Sequence, residues 1–86
     1  MQIELSTEAK AHLDFWQKTG NKAILKKIEK LTDAIIANPY TGIGKPKALK
    51  YELAPKWSRR ITKEHRYIYL LANTTLFIFS LKGHYE

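Results

Sequence analysis

Apolar and polar positions along the chain change rhythm twice, and the two changes outline a fold. Residues Gln2 to Leu5 alternate as Q-I-E-L, the period-two pattern of a short strand with one apolar face. From Ser6 the period lengthens: Ser6 is a helix N-cap, Glu8 sits in the first turn where the backbone dipole favours an acid, and Ala9, Leu13 and Trp16 recur at i, i+4 and i+7. Thr19-Gly20 ends this helix, Gly20 suiting the left-handed position past its C-terminus, and Asn21 caps a second helix at once. There Ile24, Ile28, Leu31 and Ile35 form a stripe widened by Leu25 and Ile36, while Lys22, Lys26, Lys30 and Asp33 fall largely on the wet side. Asn38-Pro39 closes the second helix and residues Thr41 to Pro46 read as a loop. From Ala48 the pattern becomes that of strands: Ala48 to Leu53, a break at Pro55, Trp57 to Thr62, His65 to Ala72 and Thr75 to Lys82, with Asn73-Thr74 as the turn of a final hairpin. The last strand is apolar almost throughout, which predicts an interior place in the sheet. The order β-α-α-β-β-β-β predicts an α+β domain with two N-terminal helices packed on one face of a mainly antiparallel sheet.

Length and charge narrow the possibilities. A chain of 86 residues predicts a single domain, 1–86, with a core large enough to fold unaided. It is 44% hydrophobic and 27% charged, its apolar runs are too short to span a bilayer, and MQIELSTEAK lacks a basic region followed by an apolar one. A cytoplasmic protein with no membrane partner is expected. There is no cysteine, and His12, His65 and His84 show no metal-ligand spacing, so neither a metal nor another cofactor is expected. A net charge of +7 on so small a chain favours a polyanionic partner, nucleic acid first and an acidic protein segment second.

Candidate chemistry gathers in three stretches. WSRRITKEHRYIY, from Trp57 to Tyr69, holds Arg59, Arg60, Glu64, His65 and Arg66 within a strand-like segment, and a hairpin here would set Arg59 across from Arg66 with two cations facing one anion. Gly42 to Pro46 has the glycines and lysine of a phosphate-cradling loop, yet G-x-G-K-P matches no nucleotide-binding pattern and no long helix follows. Lys45, Lys47 and Lys50 nevertheless make a basic patch there. Directly after the last strand, His84 and Tyr85 supply an imidazole able to move a proton near neutral pH and a phenol able to stack on a base or bond a phosphate.

Taken together these pieces resemble the YoeB/Txe branch of the RelE-type toxins of bacterial toxin–antitoxin systems. The resemblance rests on FWQKT, KKI, NPYTGIGKPKALKYEL, WSRRIT followed by EHR, and the terminal HY, and it runs nearly end to end. It implies a RelE-like fold and an endoribonuclease that cuts messenger RNA at the ribosomal A site without a metal. It also implies an acidic antitoxin that holds the protein inactive, and a homodimer. By position, Arg66 matches the family's transition-state arginine, His84 its general acid and Tyr85 the tyrosine that orients the substrate. Lys45, Lys50 and Arg59 are the expected RNA-binding positions, while Trp57 is expected to pack rather than stack on a base. One position departs: the family's general base is a glutamate where this chain has Lys47, in KPKALK. Lys47 could itself be the base, since like charge from Lys45, Lys50 and nearby arginines disfavours its ammonium form. Glu64 is an alternative base, and in another Lys47 only holds the phosphate while the ribosome positions the 2′-hydroxyl. A further alternative is a toxin weakened by the change, a basic module that blocks translation without cutting.

Overall fold

The computed structural model describes residues 1–84, and the first strand and helix are joined through one side chain. Strand β1 (Gln2–Leu5) leads into Ser6, whose Oγ accepts from the Ala9 N–H at 3.0 Å to cap helix α1 (Thr7–Lys18). The same hydroxyl donates to the Phe79 carbonyl at 3.0 Å, so the cap also fixes the angle at which the helix leaves the sheet. Gly20, at φ 67°, makes the turn into α2 (Lys22–Ala37), and the Asn21 side chain accepts from the Ile24 N–H at 3.1 Å. Ile24, Ile28, Leu31 and Ile35 are all buried in α2, as their spacing predicts.

Beyond α2 come β2 (Lys47–Ala48), β3 (Trp57–Arg60), β4 (Arg66–Ala72) and β5 (Thr75–Ser80), and the sheet order is β1-β5-β4-β3-β2. β1 runs parallel to β5 and the other pairs are antiparallel, so β5 lies inside the sheet, as its continuous apolarity predicts. The core joins Ala9 and Trp16 of α1, the isoleucine stripe and Leu31 of α2, and Tyr67, Tyr69, Leu76 and Ile78 of the sheet. Two buried phenols tie this layer together. Tyr67 meets the Thr32 hydroxyl at 2.7 Å, and Tyr69 donates to the Pro39 carbonyl at 2.6 Å. Burial pushes the Tyr67 hydroxyl up to about 12 and raises Tyr69 as well, so both remain neutral donors.

Two expectations need correction. The strand expected over Ala48 to Leu53 is only Lys47–Ala48, because the chain leaves the sheet after the Leu49 N–H bonds the Lys56 carbonyl at 2.9 Å. Tyr51 then takes a left-handed φ of 57° and opens a single 3₁₀ turn, Tyr51–Leu53. The β3–β4 register also differs: Arg60 pairs with Arg66, and Arg59 pairs with Tyr67. Shifting the pairing by one residue moves every side chain to the opposite face, so Arg59 and Arg66 do not meet over one anion.

Candidate active site

Alternation along β3 separates two adjacent arginines. Arg59 points with Tyr67 and Tyr69 toward the helices and is 0% exposed; Ser58 and Arg60 point the other way. The buried guanidinium makes three hydrogen bonds to the segment that follows α2 and one to β4. Nη1 donates to the Ile43 carbonyl at 3.1 Å, Nη2 to Thr41 at 2.9 Å and to Asn38, and Nε to the Tyr69 hydroxyl at 3.2 Å. Arg59 was expected to touch RNA, but it is closed to any phosphate and its task is internal. It buckles residues 38–44 to the sheet, its charge offset by carbonyl dipoles rather than by a carboxylate.

That buckle delivers the basic segment. The Arg60 N–H donates to the Gly44 carbonyl at 2.7 Å. Gly44 itself has φ +83°, and a Cβ there would come within 2.8 Å of Leu31 and 3.1 Å of the Arg59 Cβ. Only glycine suits both the backbone and the space. Lys45 follows at φ 51°, and the chain then runs along β3 as β2, carrying Lys47 opposite Ser58.

On this face lies a cleft of about 820 Å³ lined by Lys45, Lys47, Lys50, Arg60, Arg66 and His84, together with Ser58, Tyr51 and a few apolar residues. Three lysines, two arginines and an imidazole share its wall, with no carboxylate among the described lining residues. Such a surface concentrates positive potential where a polyanion's backbone would lie. Of the residues singled out in the sequence, Lys45, Lys47, Lys50, Arg66 and His84 come together here. Glu64 does not line the cleft; it is exposed in the turn between β3 and β4, where its N–H donates to the Thr62 hydroxyl at 3.1 Å. Trp57 also stays outside and packs on Tyr40, ring centroids 4.9 Å apart. Tyr85 lies outside the described residues.

The Arg66 guanidinium is anchored to that same turn, Nη1 donating to the carbonyls of Thr62 at 2.9 Å and Lys63 at 3.0 Å. Its backbone N–H donates to the Gly83 carbonyl at 2.9 Å, so the strand carrying Arg66 also holds the segment carrying His84. Arg66 and His84 therefore share one side of the sheet and one cleft. Arg60, marked in WSRRITKEHRYIY among the cationic groups but given no role there, lines it as well, and so does Tyr51, likewise given no role. Arg60 is opposite Arg66, and the alternation of β3 could have marked it as facing away from Arg59 once the register was known. Tyr51 is 92% exposed at the rim, and nothing in its neighbourhood in sequence signalled a left-handed turn there.

A family model described as "YoeB-like toxin of bacterial type II toxin-antitoxin system" matches residues 5–85. The chain belongs to the YoeB-like toxins. Toxin YoeB of Synechocystis sp. is 44% identical over 80 residues, covering 93% of each chain. The YoeB/ParE toxin of Agrobacterium tumefaciens superposes with a TM-score of 0.95 at 33% identity, covering 99% of this chain and 100% of that one. YoeB of Staphylococcus aureus is known both in a heterotetrameric complex with the antitoxin YefM and as a dimer. Those two structures match with TM-scores of 0.90 and 0.91, each at 37% identity over 99% of this chain and 98% of that one. This YoeB-like chain is thus a toxin of a type II toxin–antitoxin system, and its α+β fold is the RelE-type fold those relatives share.

Proposed function

We propose that this toxin is a ribosome-dependent endoribonuclease that cuts messenger RNA in the A site. The observation that carries the reading is the convergence of Arg66 and His84 on one cleft whose other charged groups, among the described residues, are all cationic. Cleavage of RNA through its own 2′-hydroxyl needs no outside reactant. A base removes the 2′-hydroxyl proton, the 2′-oxygen forms a bond to the adjacent phosphorus, the bond from phosphorus to the 5′-oxygen breaks, and an acid returns a proton to that leaving oxygen. The products are a 2′,3′-cyclic phosphate and a 5′-hydroxyl. Arg66 is the group that stabilises the extra charge on the phosphorane-like transition state, because a guanidinium cannot lose its proton and presents a planar fork to two phosphate oxygens. His84 is the acid, Tyr85 orients the substrate, and Lys45, Lys50 and Arg60 hold flanking phosphates.

For the base, the cleft favours Lys47 over Glu64, since Lys47 lines it and Glu64 is exposed in a turn outside it. Lys47→Glu, which restores the family's residue type, keeps activity and moves the pH optimum down if Lys47 is the base; an unchanged profile assigns proton removal to Glu64 or to the ribosome. The partners that follow from the relatives are an acidic antitoxin segment laid along the cationic face and a second copy of the toxin, and the working place is the cytoplasm. Among the described residues no helix is long and apolar enough to cross a membrane.

Expression of Arg66→Ala and His84→Ala tests the reading. Both should lose growth arrest, with kcat lower by roughly 10²–10³-fold for either group. Retained toxicity in both overturns it. The absence of a carboxylate from the described cleft wall keeps one second reading alive, a toxin that occupies the ribosome and blocks translation without cutting. Mapping of transcript 5′ ends after induction separates the two, because a blocker creates no new ends within codons.

A further inference from the structure

The residues after Phe79 must carry the chain from an interior strand to the mouth of the cleft, and past Ser80, which still pairs with Ile68, side chains grip the backbone alongside a single bond from β4. The Trp16 indole N–H donates to the Leu81 carbonyl at 3.0 Å, and the Leu81 N–H donates to His12 Nδ1 at 3.1 Å. Two residues on, the Gly83 N–H donates to His65 Nδ1 at 2.9 Å, while the Gly83 carbonyl accepts from the Arg66 backbone at 2.9 Å. Consecutive residues therefore hold Gly83 from both sides, one through an imidazole and the other through its main chain. Gly83 has φ +90°, a conformation in which the chain turns toward the cleft and which glycine adopts without strain.

A ring nitrogen that accepts a hydrogen bond carries no proton, so His65 is held as the neutral tautomer with its hydrogen on Nε2. Its ring is also fixed in orientation, standing edge-on to Trp16 with centroids 4.8 Å apart. The Trp16 indole is itself 5% exposed and locked to Leu81, so the wall behind His65 does not yield. His65 is half-buried and is not among the residues that line the cleft.

We propose that His65 is a positioning residue: its Nδ1 lone pair holds the Gly83 N–H and thereby sets where the His84 imidazole stands relative to Arg66. The inference rests on the reading of His84 as the general acid. A displacement of about 1 Å in a reacting group costs on the order of 10²-fold in rate, so a single tail bond next to the acid is enough to matter.

Two substitutions of the full-length toxin separate positioning from bulk stability. Asparagine places its Oδ1 close to where Nδ1 stands and retains an acceptor, whereas leucine retains volume and removes the acceptor. Cleavage of ribosome-bound message by His65→Leu should show kcat lower by roughly 10–100-fold with KM within about twofold of the parent, and His65→Asn should regain most of that loss. In isotope-labelled parent protein, a coupling across the hydrogen bond links the Gly83 amide nitrogen to His65 Nδ1, and this measurement stands even if His65→Leu does not fold. Absence of that coupling overturns the proposal, as does a folded His65→Leu with parental kcat, or an asparagine variant as impaired as the leucine one. His84→Gln tells the two claims apart. Loss of activity in His84→Gln together with a parental rate in His65→Leu removes the positioning role alone, while a parental rate in His84→Gln removes the acid assignment beneath it.

Discussion

Arg59 and Arg60 are adjacent in the chain, identical in type and opposite in what they do. On the helix side of the sheet, Arg59 makes four hydrogen bonds to carbonyls and a phenol and is closed to solvent. On the other side, Arg60 joins Arg66, three lysines and His84 around an open cleft. The first region has answered its own charge. The second collects charges of one sign with no carboxylate in its described wall, an arrangement whose mutual repulsion a bound polyanion would relieve. Burial on one face builds the loop that the other face uses, because the residues Arg59 buckles down lead straight into Lys45 and Lys47.

The comparison is most severely tested at Arg59. Arg59→Ala leaves three carbonyls and the Tyr69 phenol without their donor, and we expect a loss of about 3–5 kcal/mol by denaturant unfolding. A soluble, normally stable Arg59→Ala would show that the buckle is not what holds residues 38–44. Next in size is Gly44→Ala, for which the contact with Leu31 and the left-handed backbone predict about 1–3 kcal/mol of destabilisation, read from the same unfolding curves. Arg60→Ala should leave stability within about 0.5 kcal/mol of the parent, yet weaken binding to single-stranded RNA and lower the salt slope of that binding by about 0.7. An unchanged slope would take Arg60 out of the cleft's working surface.

The smallest effect expected concerns pH. Burial holds the His12 imidazole below its ordinary value of 6.5, with the Glu8 carboxylate pulling the other way and the Lys82 ammonium adding to the depression. The unfolded chain thus takes up this proton more readily than the folded one. The stability His12 contributes is present above about pH 6.5 and is lost as the pH falls through the folded value. His12→Asn, which keeps an acceptor for the Leu81 N–H without a titrating group, should lose less stability between neutral and mildly acid pH than the parent. An identical pH dependence in the two would place the acid-sensitive group elsewhere.

Much of this was legible in the residues themselves. Ser6, Gly20 and Asn21 mark helix ends by local chemistry, and the isoleucine stripe of α2 marks its buried face, because capping and amphipathicity act over a few residues. The unbroken apolarity of 76–79 marked an interior strand for the same reason. The basic character of residues 45–50 and the resemblance carried by WSRRIT, EHR and the terminal HY pointed to the toxin family before any coordinate. Strand alternation alone required Arg59 and Arg60 to face opposite ways.

Which of the two faced inward was decided only in three dimensions. A strand's alternation has no absolute phase; the phase comes from pairing with a distant partner, here Arg60 with Arg66, and from what the helices leave room to bury. The short β2 and the left-handed Tyr51 are likewise outcomes of where the sheet ends rather than of local preference. The same holds for the cleft: Lys47, Arg66 and His84 belong to separate segments, and their meeting depends on long-range backbone bonds such as that from Arg66 to Gly83, which no pattern along the chain encodes.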